Sequence, residues 1–123
     1  MGFLDLVLKK VKQPFGRRPQ IPLKDAIVTA PNNMGCYKIH LNGKVKYVGR
    51  AEAGIRKGFL QFYNGVIMHY PPAEKIYAHR NELTVSWIIL DSKKECKNLE
   101  TRWLRDFEPE WNEQSNWFEQ IIN

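Results

Sequence analysis

Two tyrosines, Tyr37 and Tyr47, stand on either side of an Asn42-Gly43 pair, and each has a glycine two residues beyond it, Gly35 and Gly49. Asn-Gly is the strongest short hairpin signal, so the two phenols belong to neighbouring strands. After them Ile55, Phe59, Phe62 and Tyr63 recur at helical spacing, with Arg56 on the border of the apolar face and Lys57 facing away. Far downstream, Glu100 falls in the middle of an apolar arc made by Cys96, Leu99, Trp103, Leu104 and Phe107. A carboxylate turned inward needs a partner, because burying a lone charge is costly or forces protonation. Glu100 is therefore either a snorkelling or arginine-paired structural group, or a metal ligand or catalytic carboxylate at the floor of a cleft. The tyrosines are either cross-strand aromatic packing, worth roughly 0.2–1 kcal/mol, or two hydroxyls set side by side to handle a proton.

The hairpin register decides between those readings. A two-residue type I′ turn pairs Tyr37 with Val48 and Tyr47 with Lys38, which sends the rings to opposite faces. A three-residue loop, Leu41-Asn42-Gly43 with a bulge at Gly43, sets Tyr37 opposite Tyr47 and Ile39 opposite Val45. The second register sorts the residues better, collecting Tyr37, Ile39, Val45 and Tyr47 on one face and Lys38, His40, Lys44 and Lys46 on the other. It is the expected one.

The remaining elements must hold these groups in place. The run "LTVSWIIL" reads as the central, most buried strand, and "YPPAEKIYAHRNEL" as a short helix from about Pro72 to Arg80. Ser92 and Glu95 have the spacing of a capping box, which starts the helix carrying Glu100; Pro109 breaks it. Trp117, Phe118, Ile121 and Ile122 form a closing turn. At the other end Phe3, Leu4, Val7, Leu8 and Val11 make an amphipathic helix, followed by "KQPFGRRPQIPLK", a basic, Pro-rich linker. The expected fold is α/β (α+β): a small three-stranded antiparallel sheet over about residues 35-41, 44-49 and 83-90, flanked by helices. Residues 1-24 are helix and linker, and residues 25-123 a single domain.

The 123 residues carry 19 Lys+Arg against 13 Asp+Glu, for a net charge of +6. That balance favours a polyanionic partner, nucleic acid foremost. Cys36 and Cys96 are too few and too far apart for a disulfide framework or a Cys-x-x-Cys metal site, and His40, His69 and His79 lack zinc-ligand spacing. The first apolar run is too short to span a membrane and its charges lie on the wrong side for a signal peptide, so a cytoplasmic, intracellular protein with reduced thiols is expected.

Taken together, these residues resemble the GIY-YIG nuclease family. Gly35-Cys36-Tyr37 stands where that family has Gly-x-Tyr, Tyr47-Val48-Gly49 matches its Tyr-x-Gly, and Glu100, Pro109 and Asn112 match its second signature. The resemblance spans about residues 34–112 and implies a GIY-YIG endonuclease-like fold that hydrolyses DNA phosphodiester bonds. It implies Tyr37 accepting a proton from water or holding that water, Tyr47 positioning water or phosphate, and one Mg²⁺ (or Mn²⁺) held by Glu100. In an ungapped comparison the family's arginine falls on Gly58. Arg56 or Lys57 must take over, and Arg56, bordering the tyrosine-facing side, is the expected one. Lys44, Lys46, Arg50 and Lys57 are candidates to line a DNA path, while Gly35, Gly49 and Asn112 serve the structure. The chain offers no separate recognition domain, leaving specificity for branched or single-stranded DNA to a partner or to dimerisation. A nucleic-acid-binding module on the same fold, weak or inactive as an enzyme, is the alternative.

Overall fold

The computed structural model describes residues 19–113; the N-terminal helix, the linker arginines Arg17 and Arg18, and the closing turn around Trp117 lie outside the described residues. Within this span a sheet of four strands has the order β1-β4-β2-β3, all pairs antiparallel. The strands are β1 (Ile21–Pro22), β2 (Gly35–Leu41), β3 (Lys44–Ala51) and β4 (Thr84–Ile89). The helices are α1 (Leu23–Thr29), α2 (Ile55–Tyr63), α3 (Pro71–Ala78), α4 (Lys93–Phe107) and the single turn α5 (Glu110–Glu113).

The three expected strands are present, and a fourth joins them. Ile21 pairs with Val85 and Pro22 with Thr84, inside the stretch read as linker. Two residues give no period to read, and Pro22 is tolerated because it lies on an outer strand that needs no further donor. Helix α1 also escaped the pattern reading. It starts after Pro22 without a side-chain cap and buries Leu23 and Ala26, too few positions to show a helical period. Folded structure thus begins before residue 25.

The hairpin differs from the expected register in a way that matters. Leu41 pairs with Lys44, so the turn is the two-residue one, with Asn42 at φ 53° and Gly43 at φ 81°. Left uninterrupted, that turn would separate the tyrosines. Instead His40 pairs with Val45 and Ile39 with Tyr47, leaving Lys46 as an extra residue on β3. Past this bulge the parity of β3 is reversed, so Tyr37 lies opposite Gly49 and Tyr47 opposite Ile39. Both rings share one face as diagonal neighbours, not as the directly opposed pair expected from a three-residue loop. Val45, before the bulge, goes to the other face and packs with Cys36, Val48, Cys96 and Trp103.

Both faces of the sheet are covered. On one, Tyr37, Ile39, Tyr47 and Val85 pack with Leu23, Ile55, Phe59, Phe62 and Ile76 from α1, α2 and α3. On the other, α4 lays Cys96 and Trp103 on the strands, its start closed as expected by Glu95 N–H donating to Ser92 Oγ at 3.1 Å. Its buried stripe is narrower than the predicted arc, for Leu104 and Phe107 are exposed. The two cysteines, distant in sequence, meet here. Cys36 Sγ donates to the Cys96 carbonyl at 3.1 Å, both thiols are free, and burial pushes the Cys36 thiol up to about 12.

The outer edge of β3 is closed by α5. Asn112 Oδ1 accepts from Val48 N–H at 2.8 Å while its Nδ2 donates to the Val48 carbonyl at 2.9 Å, so one amide side chain imitates a fifth strand. Two residues earlier on each chain, Lys46 meets Glu110 at 3.0 Å. The bulged strand is therefore clamped just beyond its extra residue. Asn112→Ala should lower stability by about 2 kcal/mol, since it strips buried Val48 of both side-chain partners, and chemical denaturation would measure it. A second prediction concerns His40, buried with its Nδ1 unpartnered and Nε2 at 3.0 Å from Ser86 Oγ. Burial, helped by Lys38, lowers its pKa from 6.5 to about 4. The unfolded chain then takes up the proton first, so stability should fall as pH drops from about 6.5 toward about 4. Urea unfolding should show a loss of about 2 kcal/mol near pH ~5 relative to neutral pH, and His40→Gln should remove that part of the slope.

Candidate functional site

On the tyrosine face, where β3 runs into α2, lies a cavity of about 350 Å³. Tyr37, Tyr47, Phe62, Ile67 and Tyr70 form its aromatic and apolar wall; Arg50, Glu52, Lys57 and Gln61 bring polar and charged groups. Ala51, Ala53, Gly54 and Gly58 keep the remaining lining small.

The glycines of the two motifs earn their place by space. A Cβ on Gly49 would fall 2.6 Å from the Tyr37 hydroxyl oxygen, because the Tyr37 ring lies across the strand opposite it. A Cβ on Gly35 would run into the Ile88 carbonyl of β4. The tyrosine rings are 6.2 Å apart and Phe62 stands edge-on to both, at 6.1 Å from Tyr37 and 6.0 Å from Tyr47. Aromatic packing is therefore real here, and it coexists with a pair of joined hydroxyls. Tyr47 Oη lies 2.9 Å from Tyr70 Oη.

Electrostatics decide what those hydroxyls can do. Burial, the dominant cause, raises the pKa of both Tyr37 and Tyr47 well above the ordinary phenol range, and the neighbouring phenols and the Glu100 carboxylate push in the same direction. Both are neutral near pH ~7. They can donate and accept hydrogen bonds, but neither is a ready phenolate base.

Glu100 projects from α4, the helix on the opposite face of the sheet, and its side chain is 25% exposed. The connection to the cavity is made by Arg50, near the end of the outer strand β3. Arg50 lines the cavity, and its Nε lies 3.7 Å from Glu100 Oε1 and 3.4 Å from Glu52 Oε2. Burial raises the Glu100 pKa, Arg50 opposes that rise, and Glu52 adds to it. Glu100 is thus arginine-paired, and although it does not itself line the cavity, its partner Arg50 does.

Arg56 does not join this group. Its Nε donates to the Ala30 carbonyl at 2.7 Å, at the C-terminal end of α1. The reason is helical spacing: Gly54, Lys57, Gly58, Gln61 and Phe62 form the stripe of α2 that faces the cavity, and Arg56 is turned about 100° away from Lys57. Lys57, expected to face away, lines the cavity instead. Gly58 lies in the same stripe, and a Cβ there would meet only Ala51 Cβ, at 3.8 Å. The cationic groups of the cavity are therefore Arg50 and Lys57. Lys44 sits at the hairpin turn, about 20 Å along the strand from Arg50, and Lys46 is engaged by Glu110.

Tyr70 and Gln61 are lining residues that the sequence pattern did not single out. Tyr70 had a local signal, since two prolines follow it directly and fix it as the residue capping α3.

No protein-family model matches the chain. Its sequence is 27% identical over 85 residues to UvrABC system protein C of Nocardia farcinica, covering 68% of this chain, and 27% identical over 90 residues to that of Rhodococcus jostii, covering 72%. The chain spans only 12% of the length of these curated relatives. In structure it is similar to the GIY-YIG N-terminal endonuclease domain of UvrC from Thermotoga maritima bound to magnesium, its catalytic divalent cation. The TM-score is 0.60 at 20% identity, over 72% of this chain and 93% of that one. A tyrosine-to-phenylalanine variant of the same domain, also cation-bound, gives a TM-score of 0.59 at 19% identity, over 72% of this chain and 93% of that one. The resemblance read from the two motifs holds: the chain has the GIY-YIG endonuclease fold.

Proposed function

We propose that this chain is a divalent-metal-dependent endonuclease that hydrolyses DNA phosphodiester bonds in the cavity beside Tyr37 and Tyr47. The observation that carries this reading is the convergence of two neutral phenols, Arg50 and Lys57 on one cavity, with the Glu100 carboxylate 3.7 Å from Arg50, on a fold shared with an endonuclease domain. The net positive charge suits the polyanion.

The residues present fit a hard cation. Glu100 is half-buried, its contact with Arg50 is longer than a hydrogen bond, and no cluster of three or more potential ligands exists among the described residues. One carboxylate and several retained waters are the donor set of Mg²⁺, with Mn²⁺ as a substitute. When bound, the cation supplies positive charge to the phosphate oxygens and acidifies nearby water. The rest is the work of the chain. Tyr37 and Tyr47, protonated, orient the attacking water and a phosphate oxygen by hydrogen bonds. With both pKa values raised, Tyr37 holds that water in preference to taking its proton as a phenolate. Lys57 and Arg50 offset charge growing on the phosphate, the part assigned to Arg56 by the motif alone. Lys44 is left as a distant contact for the DNA backbone.

The second reading, a binding module without strong cleavage, is favoured by one observation. At Gly58 the cavity-facing stripe carries no side chain, and Arg56, the arginine of α2, is tied to Ala30. Incubating the protein with plasmid, branched and single-stranded DNA in Mg²⁺ or Mn²⁺ separates the two. Metal-dependent nicking that disappears in Glu100→Gln supports the enzyme; DNA binding without cleavage in either metal sinks it. Because the space at Gly58 is open, Gly58→Arg should fold and raise the cleavage rate about tenfold by adding a guanidinium to the stripe.

A further inference from the structure

We propose that Tyr70 is a positioning residue for the hydrolysis, fixing the direction of the Tyr47 hydroxyl through a direct phenol-to-phenol hydrogen bond. The proposal rests on the nuclease reading above and concerns a residue outside both signature motifs.

Tyr70 Oη is 2.9 Å from Tyr47 Oη. A phenol has one proton to give. Whichever of the two donates in this bond, the other keeps its proton for a different acceptor. The bond between Tyr47 and Tyr70 therefore governs where Tyr47 offers its proton and where it offers a lone pair. Without Tyr70, a buried hydroxyl would lose a partner and regain rotational freedom just where a reacting water must be aligned.

Tyr70 is built to hold still. Pro71 and Pro72 occupy the first positions of α3, and a residue before proline is confined to extended backbone, as Tyr70 is at φ −97° and ψ 116°. Its N–H donates to the Ile67 carbonyl at 3.2 Å, and its own carbonyl accepts from Ala73 N–H at 2.8 Å. Its ring stands edge-on to Tyr47, centroids 6.5 Å apart. Both line the cavity, but Tyr47 is buried and Tyr70 only partly so, which makes Tyr70 the member of the pair nearer to water.

Tyr70→Phe keeps the ring and deletes the hydroxyl. With tyrosines labelled at Cζ, the Tyr47 carbon resonance should move in this variant while those of Tyr63 and Tyr77 stay. In cleavage assays kcat should fall about tenfold, the equivalent of one hydrogen bond, with KM unchanged. In a Tyr47→Phe background the same substitution should cost nothing further, because Tyr70 acts through Tyr47. An unmoved Tyr47 resonance, an unchanged kcat, a loss confined to KM, or additive losses in the double variant would each overturn the proposal. A wild-type protein that cleaves no DNA overturns the nuclease reading and the positioning role with it, whereas the Tyr47–Tyr70 bond is then judged separately by the resonance shift.

Discussion

One extra residue in an edge strand governs the geometry of the whole site. The tight Asn42-Gly43 turn alone would place Tyr37 and Tyr47 on opposite faces, because side chains alternate along a strand and the turn sets the starting parity. Inserting Lys46 as a bulge reverses that parity for everything beyond it. Tyr47, Gly49 and Ala51 then face α2, and Val48 faces α4. The bulge is held from outside by Glu110 on Lys46 and by Asn112 on the Val48 backbone. The exposed ion pair contributes little, ~0.2–1 kcal/mol, so the bidentate amide is the stronger part of the clamp. The segment after Pro109 is thus not an appendage of α4. It secures the register on which the tyrosine pair depends.

With the faces fixed, burial sets the chemistry. The tyrosines are packed against Phe59 and Phe62 tightly enough that ionisation is disfavoured, and the nearby carboxylate disfavours it further. Such an environment makes phenols durable hydrogen-bonding groups, suited to alignment more than to proton abstraction. The charges are segregated to the rim. Arg50 spans from the cavity to Glu100 because it lies near the end of an outer strand, where no neighbouring strand separates the two faces. The same arginine tempers the cost of burying Glu100.

Some of this was legible in the residues and some was not, for local reasons in each case. The capping box at Ser92 and Glu95, the break at Pro109 and the strand run of β4 rest on nearest-neighbour chemistry, and each appears where its residues announce it, although β2 and not β4 is the most buried strand. Helix α1 and strand β1 leave no readable period, because a seven-residue helix with two buried positions and a two-residue ladder are too short to show one. Arg56 was chosen for bordering the tyrosine-facing side of α2, yet that border faces the end of α1, and Lys57 takes the inner position. A helical pattern identifies the buried face without saying what stands at either flank.

The sequence by itself determined where the hairpin turns, that its two phenols share a face, the glutamate on its capped helix and the basic balance of charge. All of these follow from apolar patterning, local hydrogen bonding or composition. Only the tertiary structure decided that a two-residue turn with a bulge at Lys46 brings the phenols to that face, that Arg50 joins Glu100 to the cavity, and that Tyr70 bonds the Tyr47 hydroxyl. Those outcomes depend on the parity of a bulged strand and on elements far apart in the chain, and side-chain proximity across such distances is created by packing rather than by any local preference.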